Sequence, residues 1–418
     1  MPTITGLSVT STRLANTAFS ATFFPRVMRS VWPRICGTTK SSASVEPFAF
    51  VGASPLLKLF QGNIPAQAVP SFTLNVPNPI WKNIELWRRS QFELDQTRVL
   101  SKRVGMLGVK VAQTWDYLLA NVILNGSTAG SQQFLYPEDG NTYTMTFDNQ
   151  PLFSASHTVT SFNAVGGGNA PTYSNIIQGH LPVGTTSLFA QDVGVTATQL
   201  QNDVQAIIQR ISTFVDDKGA LIYPDFDPAR QLVLVVPPQL FAGAELAFRV
   251  QGGLIGGSYQ SSAGSSTNIG YKMVKDVISW NLLTGCPNLT SISSTATLSP
   301  VNVNEYYAFI DGDFVRPFYF QRFMPVKQGE TMPLGEDPAA QAARIIDQAN
   351  TSGLSVTPEA AEVYAATEID SNLGALGANA QESVVTREEF FVSARTRGMI
   401  FPGPWMTALK IDPTGTST

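Results

Sequence analysis

The chain of 418 residues is short of charge, cysteine and histidine, and each shortage removes possibilities. Lys, Arg, Asp and Glu together make up 14% of it, against ~25% in an average soluble domain. A dispersed monomer needs charged surface to stay in solution, so this composition points to polar, uncharged surface covered by partner subunits. Only Cys36 and Cys286 carry thiols. Two cysteines so far apart make neither a disulfide framework nor a zinc spacing, and a reducing compartment during assembly is the simplest setting. The two histidines are His157 and His180. Ser154 and Ser156 precede His157, but a hydrolytic triad needs a base, an orienting acid and an oxyanion hole in register, and no Gly-x-Ser-x-Gly elbow occurs. His157 therefore reads as a turn histidine satisfied by backbone. Asp216, Asp217, Asp225 and Asp227 do not follow EF-hand spacing and read as turn acids. Gly166-Gly167-Gly168 lacks the strand-before, helix-after context of a phosphate loop. No run of about 20 apolar residues could span a membrane, and no charged n-region followed by an apolar h-region marks a secretory signal. The expectation is no enzyme, no catalytic, cofactor-binding or metal site, no cofactor and no membrane partner.

What is present is an uneven charge distribution. Residues 1–110 hold 13 Lys+Arg and 4 Asp+Glu, a net +9, and the remaining residues hold 14 and 27, a net −13. Opposite signs in two parts of one chain suit self-association, because the basic part of one copy can meet the acidic part of another. A basic segment can also lie on nucleic acid through phosphate contacts that read no bases. Hydrophobic residues reach 43%, enough for a sizeable core, and the length allows two or three domains.

Residues 1–45 are rich in Ser and Thr, carry Arg13, Arg26, Arg29, Arg34 and Lys40, and read as an extended arm ordered only by what it lies on. A short helix is expected from Ser54 to Phe60, ending at Gly62. Pro65, Pro70, Pro77 and Pro79 exclude a helix from the next stretch. Ser71–Val76 and Ile80–Arg88 read as a two-stranded ribbon, marginal in water alone, so a neighbouring copy is the expected support. From about Leu94 to Asn125 no proline occurs, and Leu100, Val104, Leu107, Val111, Trp115, Leu118 and Val122 follow three- and four-residue steps along one helix face. Gly105 and Gly108 inside that helix permit close packing or a bend, or are tolerated weakness; Gly126 is its stop. A second amphipathic helix runs from about Thr196, with Gln199 completing a capping box, to Val215. Leu232–Val236 is continuously apolar, as in a strand buried on both faces, and Pro237-Pro238 opens a helix to about Arg249. A Gly- and Ser-rich loop covers 251–270, strand-like runs recur at 271–280, 305–310 and 314–324, and a final strand pair is expected at 387–397 and 404–411. Residues 330–386 stand apart: Ala-rich, with eight acids from Glu336 to Glu382 and Arg344 the single base between them. They read as an insertion with a helix near 338–349.

In this order the segments resemble the Mu-like major head subunit family of tailed phages. The matching residues are Asn78–Arg89 with Leu94-Asp95, the helix end Leu118–Gly126, Phe147–His157, Leu234–Leu240, and Arg387–Phe390 with Arg397-Gly398. Where the family tends to have Asp-Gly, this chain has Asp148-Asn149. The resemblance implies an α+β, Hong Kong 97-type capsid fold. By position the implied parts are an N-terminal arm at 1–65, an extended β-ribbon loop at 66–93, a peripheral domain at 94–219 with a spine helix at 94–125, an axial domain at 220–310, and a return to the peripheral domain at 311–418 that carries the acidic insertion. The implied role is a major capsid protein forming hexamers and pentamers of an icosahedral shell around non-specifically held double-stranded DNA. Scaffold, portal and decoration proteins are further implied partners, with assembly in the host cytoplasm and the virion as the destination. An encapsulin-like nanocompartment shell and a β-rich surface or adhesion protein are the alternatives. Candidate inter-subunit contacts are Trp81 and Trp87, because buried aromatics dominate interfaces, and the basic cluster Arg88, Arg89, Arg98, Lys102 and Arg103, which would pair with a neighbour's acids or face DNA. Arg13, Arg26, Arg29 and Arg34 form the basic arm.

Overall fold

The computed structural model describes residues 18–51, 71–88, 99–129, 133–158, 172–181, 193–216, 220–249, 272–289, 297–298, 300, 303–312, 315–323, 367–371 and 389–413. In chain order the helices are α1 (18–27), α2 (Trp32–Ile35), α3 (Val99–Leu124), α4 (Val193–Ile211), α5 (Pro228–Gln231) and α6 (Pro238–Phe248). The strands are β1 (Cys36–Ser41), β2 (Val45–Val51), β3 (Ser71–Pro77), β4 (Ile80–Arg88), β5 (Gln133–Leu135), β6 (Thr142–Thr144), β7 (His157–Thr158), β8 (Thr172–Tyr173), β9 (Ile176–Gln178), β10 (Leu232–Val236), β11 (Asp276–Ser279), β12 (Cys286–Pro287), β13 (Thr297–Leu298), β14 (Tyr306–Ile310), β15 (Phe318–Phe323), β16 (Thr367–Ser371), β17 (Glu389–Pro402) and β18 (Ala408–Asp412).

Two five-stranded sheets organise the chain. The first has the order β1-β15-β17-β16, with β4 also paired to β17. Its long strand β17 pairs β15 through residues 398–402 and β4 through residues 389–397, and residues 392–396 are flanked on their other side by β16. The second has the order β11-β10-β14-β18-β9. Its central strands alternate between two cores. Leu232, Leu234, Val236, Tyr306, Ala308 and Ile310 pack with Leu200, Val204, Ile207, Leu240 and Ala244 of helices α4 and α6. Val233, Val235, Tyr307 and Phe309 join a core with Val111, Trp115 and Ile123 of α3. Both faces are covered, which is why these strands are apolar at every position.

Helix α3 buries Val104, Leu107, Val111, Trp115 and Leu118 as their spacing predicts. Its 26 residues make it about 39 Å long at 1.5 Å per residue. Its glycines serve close packing: a Cβ on Gly108 would sit 2.7 Å from the Phe19 carbonyl oxygen, and the Thr22 hydroxyl donates to the Gly105 carbonyl at 2.7 Å. Gly126 follows the helix, and a Cβ there would run into the Phe153 ring.

Four expectations are corrected. From residue 18 onward the supposed arm is folded core: Phe19, Phe23, Phe24, Val27, Val31, Trp32 and Ile35 are buried, and β1 runs parallel to β15. An aromatic every few residues makes α1 amphipathic, and the Ser/Thr content hid that pattern. The ribbon strands do not pair with each other; β3 pairs β2, and β4 pairs β17. The second helix begins at Val193, so Thr196 is a buried interior position instead of its cap. The final strands do not form a pair either, since β17 belongs to the first sheet and β18 to the second. The expected helices at 54–60 and 338–349, the glycine triple at 166–168 and the loop at 251–270 lie outside the described residues; of the acidic insertion only β16 is described.

Candidate assembly surface

Buried polar groups pin the elements of the fold to one another. Asp116 on α3 accepts from the backbone N–H of Val31 (2.9 Å) and Trp32 (3.2 Å), tying α2 to the long helix. Burial pushes its carboxyl above the ordinary value, partly offset by those same bonds. At the root of the β2–β3 hairpin, the Asn78 amide donates to Ser41 Oγ and to the Ala43 carbonyl, and Gln321 donates to Asn78 Oδ1 and to the Val76 carbonyl. Leu74 and Val76 are buried there beside Phe134, Met145, Met399 and Phe401. Pro47, Ala49, Thr73 and Asn75 are exposed on the other face of the two strands, while Phe48 packs on Phe147, Tyr319 and Phe401, so one face of the hairpin lies on the body of the fold.

A second polar seam ties residues 148–157 to the second sheet and braces that sheet itself. Asn175 donates to the carbonyls of Leu152 (2.6 Å) and Ala408 (3.0 Å). Lys410 Nζ lies 3.2 Å from Glu305 and 3.5 Å from Asp412, all three buried. His157 is buried too, but a carboxylate partners it as well as backbone. Its Nδ1 lies 2.6 Å from Asp148 Oδ2, its Nε2 is 3.3 Å from the Leu152 carbonyl, and its ring stacks on Trp405 at 4.6 Å. Both ring nitrogens are therefore engaged away from the Ser154 and Ser156 hydroxyls, which face each other at 3.3 Å. Asn149 has φ +58°, the conformation that explains glycine at this place in the resembling family. Asp203 is shared by the exposed His180 and the buried Tyr306 hydroxyl. Nothing in the sequence marks these partners, because most lie far apart along the chain.

The acids at 216–227 act locally: Asp216 accepts from the Ala220 N–H, and Asp227 caps α5 through the Ala229 N–H. Asp217 lies outside the described residues. Cys36 and Cys286 are free and buried, and burial raises both thiols, Cys286 to about 11. Among the described residues no group of three or more His, Cys, Asp or Glu could hold a metal ion, and no helix is long and apolar enough to cross a membrane.

The candidate contact residues separate into three sets. Trp81 is half-buried in its own subunit, and its indole N–H donates to the Gly398 carbonyl at 2.8 Å. Arg34 pairs with Asp276 of the second sheet, which also holds Arg249 at 2.5 Å, and Arg26 is half-buried near Asp116. These three side chains are engaged within the subunit. Lys102 and Arg103 on α3 and Arg29 beyond α1 are exposed. Trp87 and Arg88 lie in β4 opposite Phe390 and Glu389, with side chains outside the description, as are Arg13, Arg89 and Arg98 altogether. Among the described candidates, Lys102, Arg103 and Arg29 are thus the exposed bases with no ion pair to another described residue.

A sequence profile of the Mu-like prophage major head subunit gpT matches residues 10–194. No curated protein sequence matches the chain significantly. Among solved structures, the capsid of cyanophage P-SCSP1u is similar at 10% identity, over 91% of this chain and 87% of that one, with a TM-score of 0.48. The mature capsid of bacteriophage PhiM1 is similar at 9% identity over 92% and 86%, with a TM-score of 0.44. The procapsid of bacteriophage JBD30 is similar at 12% identity over 98% and 75%, with a TM-score of 0.41.

Proposed function

We infer that this chain, which carries the Mu-like major head subunit match over residues 10–194, builds the head of a tailed phage. It is a major capsid protein, a structural component of the virion. That match is the observation that carries the reading. It takes in the folded α1–β1 segment, the β2–β3 hairpin and the long helix.

In the finer reading the fold is of the Hong Kong 97 type. Copies form hexamers and pentamers of an icosahedral shell around double-stranded DNA, assembled in the host cytoplasm with portal, scaffold and decoration proteins as partners. One sequence has to fit slightly different neighbours, and the division of labour here suits that task. The two sheets and α3 are cross-braced by buried hydrogen bonds, while the β2–β3 hairpin lays one face on them above a pinned root and leaves the other exposed. The exposed bases of α3 would meet a neighbour's acids or DNA phosphates.

Electron microscopy of the purified protein and of lysate particles tests the reading. Large DNA-filled heads are expected. Small shells filled with protein would assign the chain to a cellular compartment instead, and an absence of any closed shell would remove the shell function.

A further inference from the structure

The long helix carries a basic stripe whose partner is not in the described part of the chain. Lys102, Arg103 and Lys110 are exposed on α3, and Met106, 61% exposed, sits among them at helical spacing. Among the described residues no carboxylate lies within ion-pair distance of these three bases. The only acid on α3 is Asp116, which is buried and occupied. A methionine ringed by cations asks for an apolar group ringed by anions.

The molecule has such a group elsewhere. In the β5–β6 hairpin Phe134 points into the core, so Leu135 points out and is 54% exposed. The turn beyond it, Pro137 to Asn141, is exposed and holds Glu138 and Asp139, with Gly140 at φ +73°. The tip is braced: the Tyr136 hydroxyl donates to Glu138 at 2.7 Å, the Tyr143 hydroxyl donates to Asp139 at 2.6 Å, and Arg397 lies 3.4 Å from Glu138. The bond from Tyr143 holds the Asp139 carboxyl below its ordinary value, so it is charged at neutral pH.

The two patches cannot meet within one subunit. The hairpin lies over the far end of α3, where Phe134 and Met145 share a groove with Leu118 and Val122. From Met106 to Val122 is about 24 Å along the helix axis at 1.5 Å per residue. Complementary patches at opposite ends of a rigid rod suit a head-to-tail contact, and such a contact generates a ring where its rotation closes. We propose that the Lys102–Arg103–Met106–Lys110 stripe of one copy receives the Leu135–Glu138–Asp139 hairpin tip of the next copy. This rests on the shell reading and names one contact that sets neighbour against neighbour in it. The opposite charges steer the encounter and fix its direction, and the Met106–Leu135 pair is the dry centre.

The test is a charge swap scored by electron microscopy and sedimentation of the full-length protein. K102E/R103E/K110E and E138K/D139K should each lower the yield of closed shells at least tenfold, and the five changes together should restore most of it. All five positions are exposed, and circular dichroism of each variant confirms that it folds. A second arm pairs M106C with L135C; the native thiols are buried, so mild oxidation of assembled particles should link successive copies into a ladder. The proposal is overturned by reversals that leave shell yield unchanged, or by an oxidised double-cysteine shell that runs as single chains. Shells that close normally after the stripe reversal but hold less DNA would assign the stripe to phosphate and also overturn it. Wild-type protein that forms no shell defeats the capsid reading itself; wild-type shells with harmless reversals defeat only this contact.

Discussion

The two sheets are built by opposite strategies. The second sheet is apolar at every position of Leu232–Val236 and Tyr306–Ile310, because helices cover one face and the α3 core covers the other. The first is assembled from strands recruited across the chain: Cys36 sits beside Phe318, and Ile80 beside Arg397. It is sealed by single large groups, with Trp115 packing on Phe320 at 4.3 Å between ring centres and Trp32 on the same ring at 4.9 Å. One sheet is secured by continuous burial, the other by a few plugs and buried hydrogen bonds.

Removing the plug should therefore hurt most. Trp115→Ala should cost about 3–5 kcal/mol, and amide hydrogen exchange should rise first in Phe318–Phe323 and in residues 398–402. Equal loss of protection in Val233–Val236 would show one cooperative body and dissolve the contrast. Leu234→Ala in the second sheet should cost about 2–5 kcal/mol; chemical denaturation should show the loss, with exchange raised around α4 and α6. Asn78→Ala should cost about 1–3 kcal/mol, because it removes the acceptor of the buried Gln321 amide and leaves a void at a fully buried position. The same change should loosen the β2–β3 hairpin, which limited proteolysis would detect. The smallest effect is expected from Asp116→Asn, within about 1 kcal/mol, since one oxygen accepts both capping N–H bonds and an amide keeps it.

That last variant also has a pH signature. The native Asp116 carboxyl has a raised pKa, so between its ordinary value of 3.8 and its native value the folded state binds more protons than the unfolded state. This group's contribution to stability therefore falls as pH rises through that window and is flat above it. Thermal melts from pH 3 to 8 should show the slope in wild type and a reduced slope in Asp116→Asn; identical profiles would mean that Asp116 stays ionised when buried.

Several features were legible because their signal is local. The periodic apolar steps of α3, the continuous run at 232–236 and the proline-opened α6 stand in the structure close to where their spacing puts them. Lys102 and Arg103 lie off the apolar face that the α3 spacing defines, and both are exposed. The pairing of β4 was not legible, because its partner β17 follows more than 300 residues later, and register between such strands leaves no trace in either one alone. Arg34 looked like a free arm charge for the same reason: its partner Asp276 belongs to another sheet. The hairpin tip is not legible either, since two acids in a turn are common and only the placement of Leu135 makes a patch of them.

By itself the order of residues decided which segments coil, which extend and where charge collects, because propensity, periodicity and proline act over a few neighbours. Tertiary structure alone decided which strands are neighbours, which tryptophans are plugs and which cations face water. Those outcomes depend on groups hundreds of positions apart being brought within a few ångströms, where burial and hydrogen bonding, instead of sequence distance, set the energy.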